Sequence, residues 1–152
     1  MTRTAILVDR TALGRAVLER HGTALVPDYD LLVSHLVPDD PGVLKHVWTV
    51  EMPPGMVRLF ERYGWQVKNL PRVTPGLIEA DMAMTVVNLP AACTRFIFVT
   101  GAGAISPVLA RLAEDGNEVT VAAYASDIAL NIRNTPGVKI VPLDHADILR
   151  KK

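Results

Sequence analysis

The chain has 152 residues, a length that suits one domain with a core of its own. Hydrophobic residues make up 49% and charged residues 21%, the balance of an ordinary globular protein, and 16 Lys and Arg offset 16 Asp and Glu. Zero net charge gives no ground for strong non-specific nucleic-acid binding beyond a local basic face, and the single Cys93 excludes an internal disulfide and a zinc cysteine pattern.

In chain order, Thr4–Val8 is a short apolar strand that ends at Asp9. A helix is expected from about Thr11, with Leu13, Ala16, Val17 and Arg20 at helical spacing and His21-Gly22 as its stop. Residues 23–44 are punctuated by Pro27, Pro38, Pro41 and Gly42, with a short helix at Tyr29–Leu36. They form a candidate insertion or partner surface within the single 1–152 domain.

His46–Val50 reads as the second strand. Met56, Leu59, Phe60 and Tyr63 then fall at i, i+3, i+4 and i+7, a helix that ends at Gly64. Trp65–Leu70 alternates as a strand toward the sheet edge, and a helix is expected from about Leu77 to Leu89. Arg95–Val99 is the fourth strand. Ser106-Pro107 opens the next helix, with Ser as N-cap and Pro in the first turn. Glu118–Ala123 and Val138–Pro142 complete six strands, with Ser126 as cap of a helix over Asp127–Asn134 between them. Arg150-Lys151-Lys152 reads as a solvated tail.

Alternating strands and helices predict an α/β fold: a three-layer α/β/α sandwich around a mostly parallel sheet. In such sheets ligands bind beyond the carboxyl ends of strands, where strand order reverses. Asp9, Gly101 and Tyr124 lie at or just past strand ends and form the expected rim of one crevice. The stretch Arg95–Ser106 runs from a buried strand through Thr100-Gly101-Ala102-Gly103-Ala104 into a helix, yet that loop carries no acid and no base. A tight turn that needs close packing accounts for its glycines better than a phosphate cradle does.

These residues carry a family resemblance. The chain resembles the NYN domain, a branch of the PIN-like metal-dependent ribonucleases, over nearly its whole length. Members begin with a strand ending in Asp-Gly-x-Asn, and Asp9-Arg10-Thr11-Ala12 stands there. A mid-chain Lys-x-x-Asp is matched by Ile78-Glu79-Ala80-Asp81, with Asn88 further along the helix. The signature Ser-Gly-Asp-x-Asp-Phe is matched by Thr100-Gly101-Ala102-Gly103-Ala104-Ile105, so both of its acids are alanines here.

The resemblance implies a Mg²⁺ or Mn²⁺ site in which Asp9 and Asp81 serve as ligands and catalytic acids, with Glu79 or Asp127 as helpers. It implies a substrate-binding rim of Arg10, Asn88 and Thr100, the loop residues Gly101, Ala102, Gly103 and Ala104, and then Tyr124, Ser126 and Asp127. Single-stranded or structured RNA is the implied partner, and the two alanines imply an impaired site.

Each of these residues also suits an ordinary structural role. Asp9 also suits an N-cap, and Asp81 suits the first turns of a helix through the helix dipole. Asp81, Thr85 and Asn88 share one helix face, which is either solvated or turned to the crevice. Tyr124 is either a base-stacking residue or a half-buried rim tyrosine. Arg58, Arg62, Lys68 and Arg72 are either a basic rim or charges that keep the protein soluble. A protein-interaction domain or a nucleotide-binding protein on the same fold remains the alternative, and a protein partner and a homo-oligomer both stay open. No stretch approaches the ~20 apolar residues of a membrane span, so no membrane partner and a cytoplasmic location are expected.

Overall fold

Residues 2–152 are described by a computed structural model. In chain order its first half comprises β1 (Arg3–Asp9), α1 (Arg10–His21), β2 (Leu25–Pro27), α2 (Tyr29–Leu36), β3 (Leu44–Val50), α3 (Pro54–Arg62) and β4 (Trp65–Leu70). The second half comprises α4 (Leu77–Val87), β5 (Cys93–Val99), α5 (Ser106–Glu114), β6 (Glu118–Ala123), α6 (Leu130–Arg133), β7 (Val138–Pro142) and β8 (Leu149–Lys151).

Six strands form one parallel sheet in the order β4-β3-β1-β5-β6-β7. The chain winds outward from β1 to β4, returns to the centre at β5, and winds outward again to β7. The fold is thus an α/β/α sandwich with its topological switch between β1 and β5, and the loops after those two strands part to open a crevice. β4 lies at a sheet edge, as its alternating pattern suggests.

The strands of the middle are apolar on both faces because both faces are covered. Along β1, Ile6 and Val8 enter a core closed by Leu13 and Val17 of α1 and Leu32 and Leu36 of α2. Ala5 and Leu7 enter a second core closed by Met82 of α4, Leu109 of α5 and Ile132 of α6. Met82 and Leu109 are fully buried, so truncating either to alanine is expected to cost about 2–5 kcal/mol.

Three local expectations change. The basic tail Arg150-Lys151-Lys152 is exposed as expected, but it is not a free end: Leu149–Lys151 is β8, paired antiparallel with β2, and the preceding Ile148 is buried. A three-residue strand is too short to carry a readable period. Ser126 caps no helix, because Ala125–Asp127 is a 3₁₀ turn and α6 begins only at Leu130. Ser106 is the first residue of α5 instead of its cap; Gly103–Ile105 is a 3₁₀ turn that leads straight into the helix. The stretch 23–44 packs Leu32, Leu36 and Val37 into the first core.

Candidate functional site

Asp9 ends β1 and caps α1. Its Oδ1 accepts a hydrogen bond from the Ala12 amide at 3.0 Å, so the capping role expected of a strand-end acid is met. The same side chain lines a cleft of about 380 Å³ at the switch point, together with Thr100, Gly101 and Ala102 from the β5 loop and Tyr124 beyond β6. Arg15 and Glu19 of α1, Glu79 of α4 and Asp127 complete its charged lining. Four carboxylates against one guanidinium make the lining acidic.

Asp9 is buried. Burial pushes its carboxyl above the ordinary value of 3.8; the Ala12 amide opposes that rise, and the charge on Glu79 adds to it. The folded protein therefore holds this proton more tightly than the unfolded chain does. The stabilisation is full below pH 3.8 and is lost as pH rises through the folded value. Asparagine keeps the capping oxygen and removes the charge. Asp9→Asn is expected to melt higher than the parent at neutral pH, with the difference closing toward pH 3.8. Thermal melts across that range check it.

Asp81 does not join Asp9. Its Oδ2 accepts the Trp48 indole N–H at 2.6 Å and lies 3.8 Å from Lys68 Nζ. It lines a separate cleft with His46, Lys68, Thr85 and Asn88, on the β3–β4 side of α4. The reason is helical phase. Residues two apart on a helix differ by about 200°, so Glu79 and Asp81 border the buried stripe of Ile78, Met82 and Val86 on opposite edges. Glu79, in the first turn of α4, is the acid that reaches the Asp9 cleft. The polar face of Asp81, Thr85 and Asn88 exists but turns away from the crevice, and Asn88 donates to the Met84 carbonyl. Asp81 thus ties α4 to β3. Asp81→Ala leaves a part-buried indole N–H without its acceptor and should cost about 1–3 kcal/mol in urea unfolding.

The same second cleft holds a pH-sensitive group. His46 stacks on Trp48 with ring centroids 6.3 Å apart, and its Nε2 has no hydrogen-bond partner among the described residues. Burial holds the imidazole below its ordinary 6.5. The folded state sheds this proton before the unfolded chain does, so its stability is full above pH 6.5 and is lost as pH falls through the folded value. His46→Phe keeps the stacking and is expected to blunt that acid loss. Unfolding midpoints measured across the window test it.

The glycine loop is closed by chain packing. The Gly101 carbonyl accepts from the Ala129 amide at 3.0 Å, and Asn131 Nδ2 donates to the Gly103 carbonyl at 3.0 Å. A Cβ on Gly101 would lie 2.1 Å from the Asp127 carbonyl oxygen. The packing explanation for these glycines thus holds on geometry. Thr100 is buried, and its hydroxyl accepts from the Ala102 amide at 3.2 Å. Ala102 faces the cleft, whereas Ala104 is exposed and outside its lining.

Other members of the expected rim are engaged elsewhere. Tyr124 is buried instead of half-buried, and the Arg20 guanidinium covers its ring at 4.2 Å, so that face is closed to a base. Arg20 also pairs with Asp127 at 3.4 Å and donates to the Ser126 hydroxyl. Arg10 turns to the opposite side of α1, where it donates to Thr49 Oγ1 at 3.1 Å. None of Arg58, Arg62, Lys68 and Arg72 lines the Asp9 cleft. The α1 residues Arg15 and Glu19 fall with Ala12 and Ala16 at i, i+3, i+4 and i+7. That spacing marked a second helix face beside the buried one.

Among the described residues, no group of three or more His, Cys, Asp or Glu side chains is placed to hold a metal ion. No described helix is long and apolar enough to cross a membrane. No protein-family model matches the chain, and no curated protein matches it. The fold is shared with a protein of unknown function from Vibrio parahaemolyticus, at a TM-score of 0.78 and 18% identity, over 98% of this chain and 96% of that one.

Proposed function

We propose that this chain is a NYN/PIN-like domain whose cleft takes Mg²⁺ or Mn²⁺ weakly through Asp9 and Glu79 and engages RNA there, with cleavage impaired. The observation that carries this reading is a buried carboxylate at the sheet's switch point whose proton affinity is raised by burial and by a second carboxylate across the cleft. Such a group gains from a positive partner, and no ion pair supplies one among the described residues.

The donor set fits a loosely held hard cation. Mg²⁺ is commonly bound by one or two carboxylates, with water and substrate phosphate in its remaining positions. A divalent cation there would lower the pKa of a bound water and offset phosphate charge. Arg15, exposed at the rim, is placed to meet a phosphate oxygen. Glu19 adds negative charge to the rim, whereas Asp127 is paired with Arg20. An RNA strand therefore meets repulsion unless a cation is bound. Alanine at 102 leaves the β5 side of the cleft without a carboxylate, and that accounts for impaired turnover.

Calorimetric titration with Mn²⁺, followed by a short single-stranded RNA, tests the reading. Weak Mn²⁺ binding is expected, lost in Asp9→Asn, with RNA binding only when Mn²⁺ is present and little or no cleavage. Absence of Mn²⁺ binding would overturn the proposal. So would brisk Mg²⁺-dependent turnover that survives both Asp9→Asn and Glu79→Gln.

A further inference from the structure

On the other side of α1 lies a second groove of about 560 Å³, between α1, α3 and the β2–β8 ribbon. Its walls are aliphatic. Leu18 is 53% exposed, Met56 40% and Leu59 46%, and all three face the groove. α3 explains why they are left over. It is amphipathic, yet it contributes no fully buried residue, and of its apolar positions Phe60 packs against the core. Its stripe of Met56, Leu59 and the following Tyr63 has no apolar element over it; the Arg10 guanidinium donates to the Met56 sulfur at 3.7 Å.

The charged side chains that line this groove are all basic: Arg10, Arg15, Arg150 and Lys152. None forms an ion pair among the described residues. The acids Asp28 and Asp30 lie outside the groove's own lining, in an adjoining hollow that shares Leu59 and Arg150 with it. A surface that combines an unpartnered aliphatic stripe with a one-signed rim is complementary to a ligand that is apolar on one side and acidic on its flanks.

We propose that this groove docks an acidic amphipathic helix from a partner protein, with its aliphatic side chains on Leu18, Met56 and Leu59 and its carboxylates on Arg150 and Lys152. Helix-in-groove recognition uses anchors at i, i+3, i+4 and i+7, the geometry that a channel between two helices accepts. Nucleic acid fits less well. The aromatic rings at the floor, Tyr29 and Phe60, are engaged edge-to-face with each other and with Trp65, at centroid distances of 5.1, 6.0 and 6.1 Å. The walls that a ligand meets offer methyl groups instead of stacking platforms. This inference is independent of the cation-binding reading of the Asp9 cleft.

The probe is a fluorescent synthetic helix of about 15 residues, ~22 Å long at 1.5 Å per residue, with leucines on one face and glutamates on the other. Its counterpart carries lysines in place of the glutamates. Anisotropy titration should give saturable binding of the glutamate peptide, weakened by added salt and by Arg150→Glu. Leu59→Glu should weaken it about tenfold or more. Both substituted residues are exposed, and circular dichroism with a thermal melt checks that the fold is kept. Four results would each overturn the proposal. One is no binding of the glutamate peptide, and another is equal binding of the lysine peptide. The third is competition by single-stranded RNA that Leu59→Glu abolishes, which would make the groove a nucleic-acid surface. The last is a concentration-dependent dimer in sedimentation that Leu59→Glu dissociates, which would make the occupant a second copy of the chain.

Discussion

Gly101→Ala is expected to destabilise the protein by about 3 kcal/mol or more, the range of severe steric and packing defects. The new Cβ would stand 2.1 Å from the Asp127 carbonyl oxygen and 2.6 Å from its carbon, both main-chain atoms that cannot rotate aside. Gly101 has no left-handed φ, so the requirement here is space and not backbone conformation. For a chain of this size the loss corresponds to a fall in melting temperature of roughly 6–12 °C. Gly103→Ala serves as the control. Its Cβ would meet the Asn131 side-chain amide at 2.7 Å and the Ala129 Cβ at 3.2 Å; the nearer group can turn away at the loss of its bond to the Gly103 carbonyl, so a smaller loss is expected. If Gly101→Ala melts with the parent, the β5 loop does not pack on residues 127–131 and the floor of the cleft is misplaced.

The second large effect is a gain. Ala102→Asp adds a further carboxylate to the cleft that holds Asp9 and Glu79. The added like charge destabilises the cation-free protein, because burial and mutual repulsion both disfavour ionisation. A cation that binds only the folded state reverses that loss by mass action, by about 2.7 kcal/mol when present at 100 times its dissociation constant. The expected pattern is a lower melting temperature without Mn²⁺, recovery with it, and tighter Mn²⁺ binding than in the parent. Ala104→Asp should do none of these things, because Ala104 is exposed outside the cleft. Equal effects from the two substitutions would mean that bulk charge, and not the cleft, is being measured.

The sheet was legible because its signals are strong. Apolar runs such as Thr4–Val8 and Arg95–Val99 are long enough to read, and Gly22, Gly64 and Gly116 mark helix ends at positive φ. The short ribbon was not legible, since β2 and β8 have three residues each and pair through the main chain. At the site, the loops after β1 and β5 follow from topology, and Asp9, Gly101 and Tyr124 do line one cleft. The acid from α4 required more. Glu79 and Asp81 lie two residues apart in the same turn, and motif spacing favours Asp81. What separates them is which edge of the Met82 stripe faces β1, a tertiary relation that a local pattern does not contain. Arg20 was readable as part of a helix face, but its place over the Tyr124 ring depends on a contact between residues 104 positions apart.

On the proposed reading, Glu79 and not Asp81 completes a cation site with Asp9. The most direct measurement is the Mn²⁺-induced rise in melting temperature in Glu79→Gln and in Asp81→Asn. Asparagine at 81 keeps an oxygen for the Trp48 indole, so both variants should stay folded. Glu79→Gln is expected to abolish the Mn²⁺ response and Asp81→Asn to retain it. A response lost in Asp81→Asn and kept in Glu79→Gln would contradict this reading.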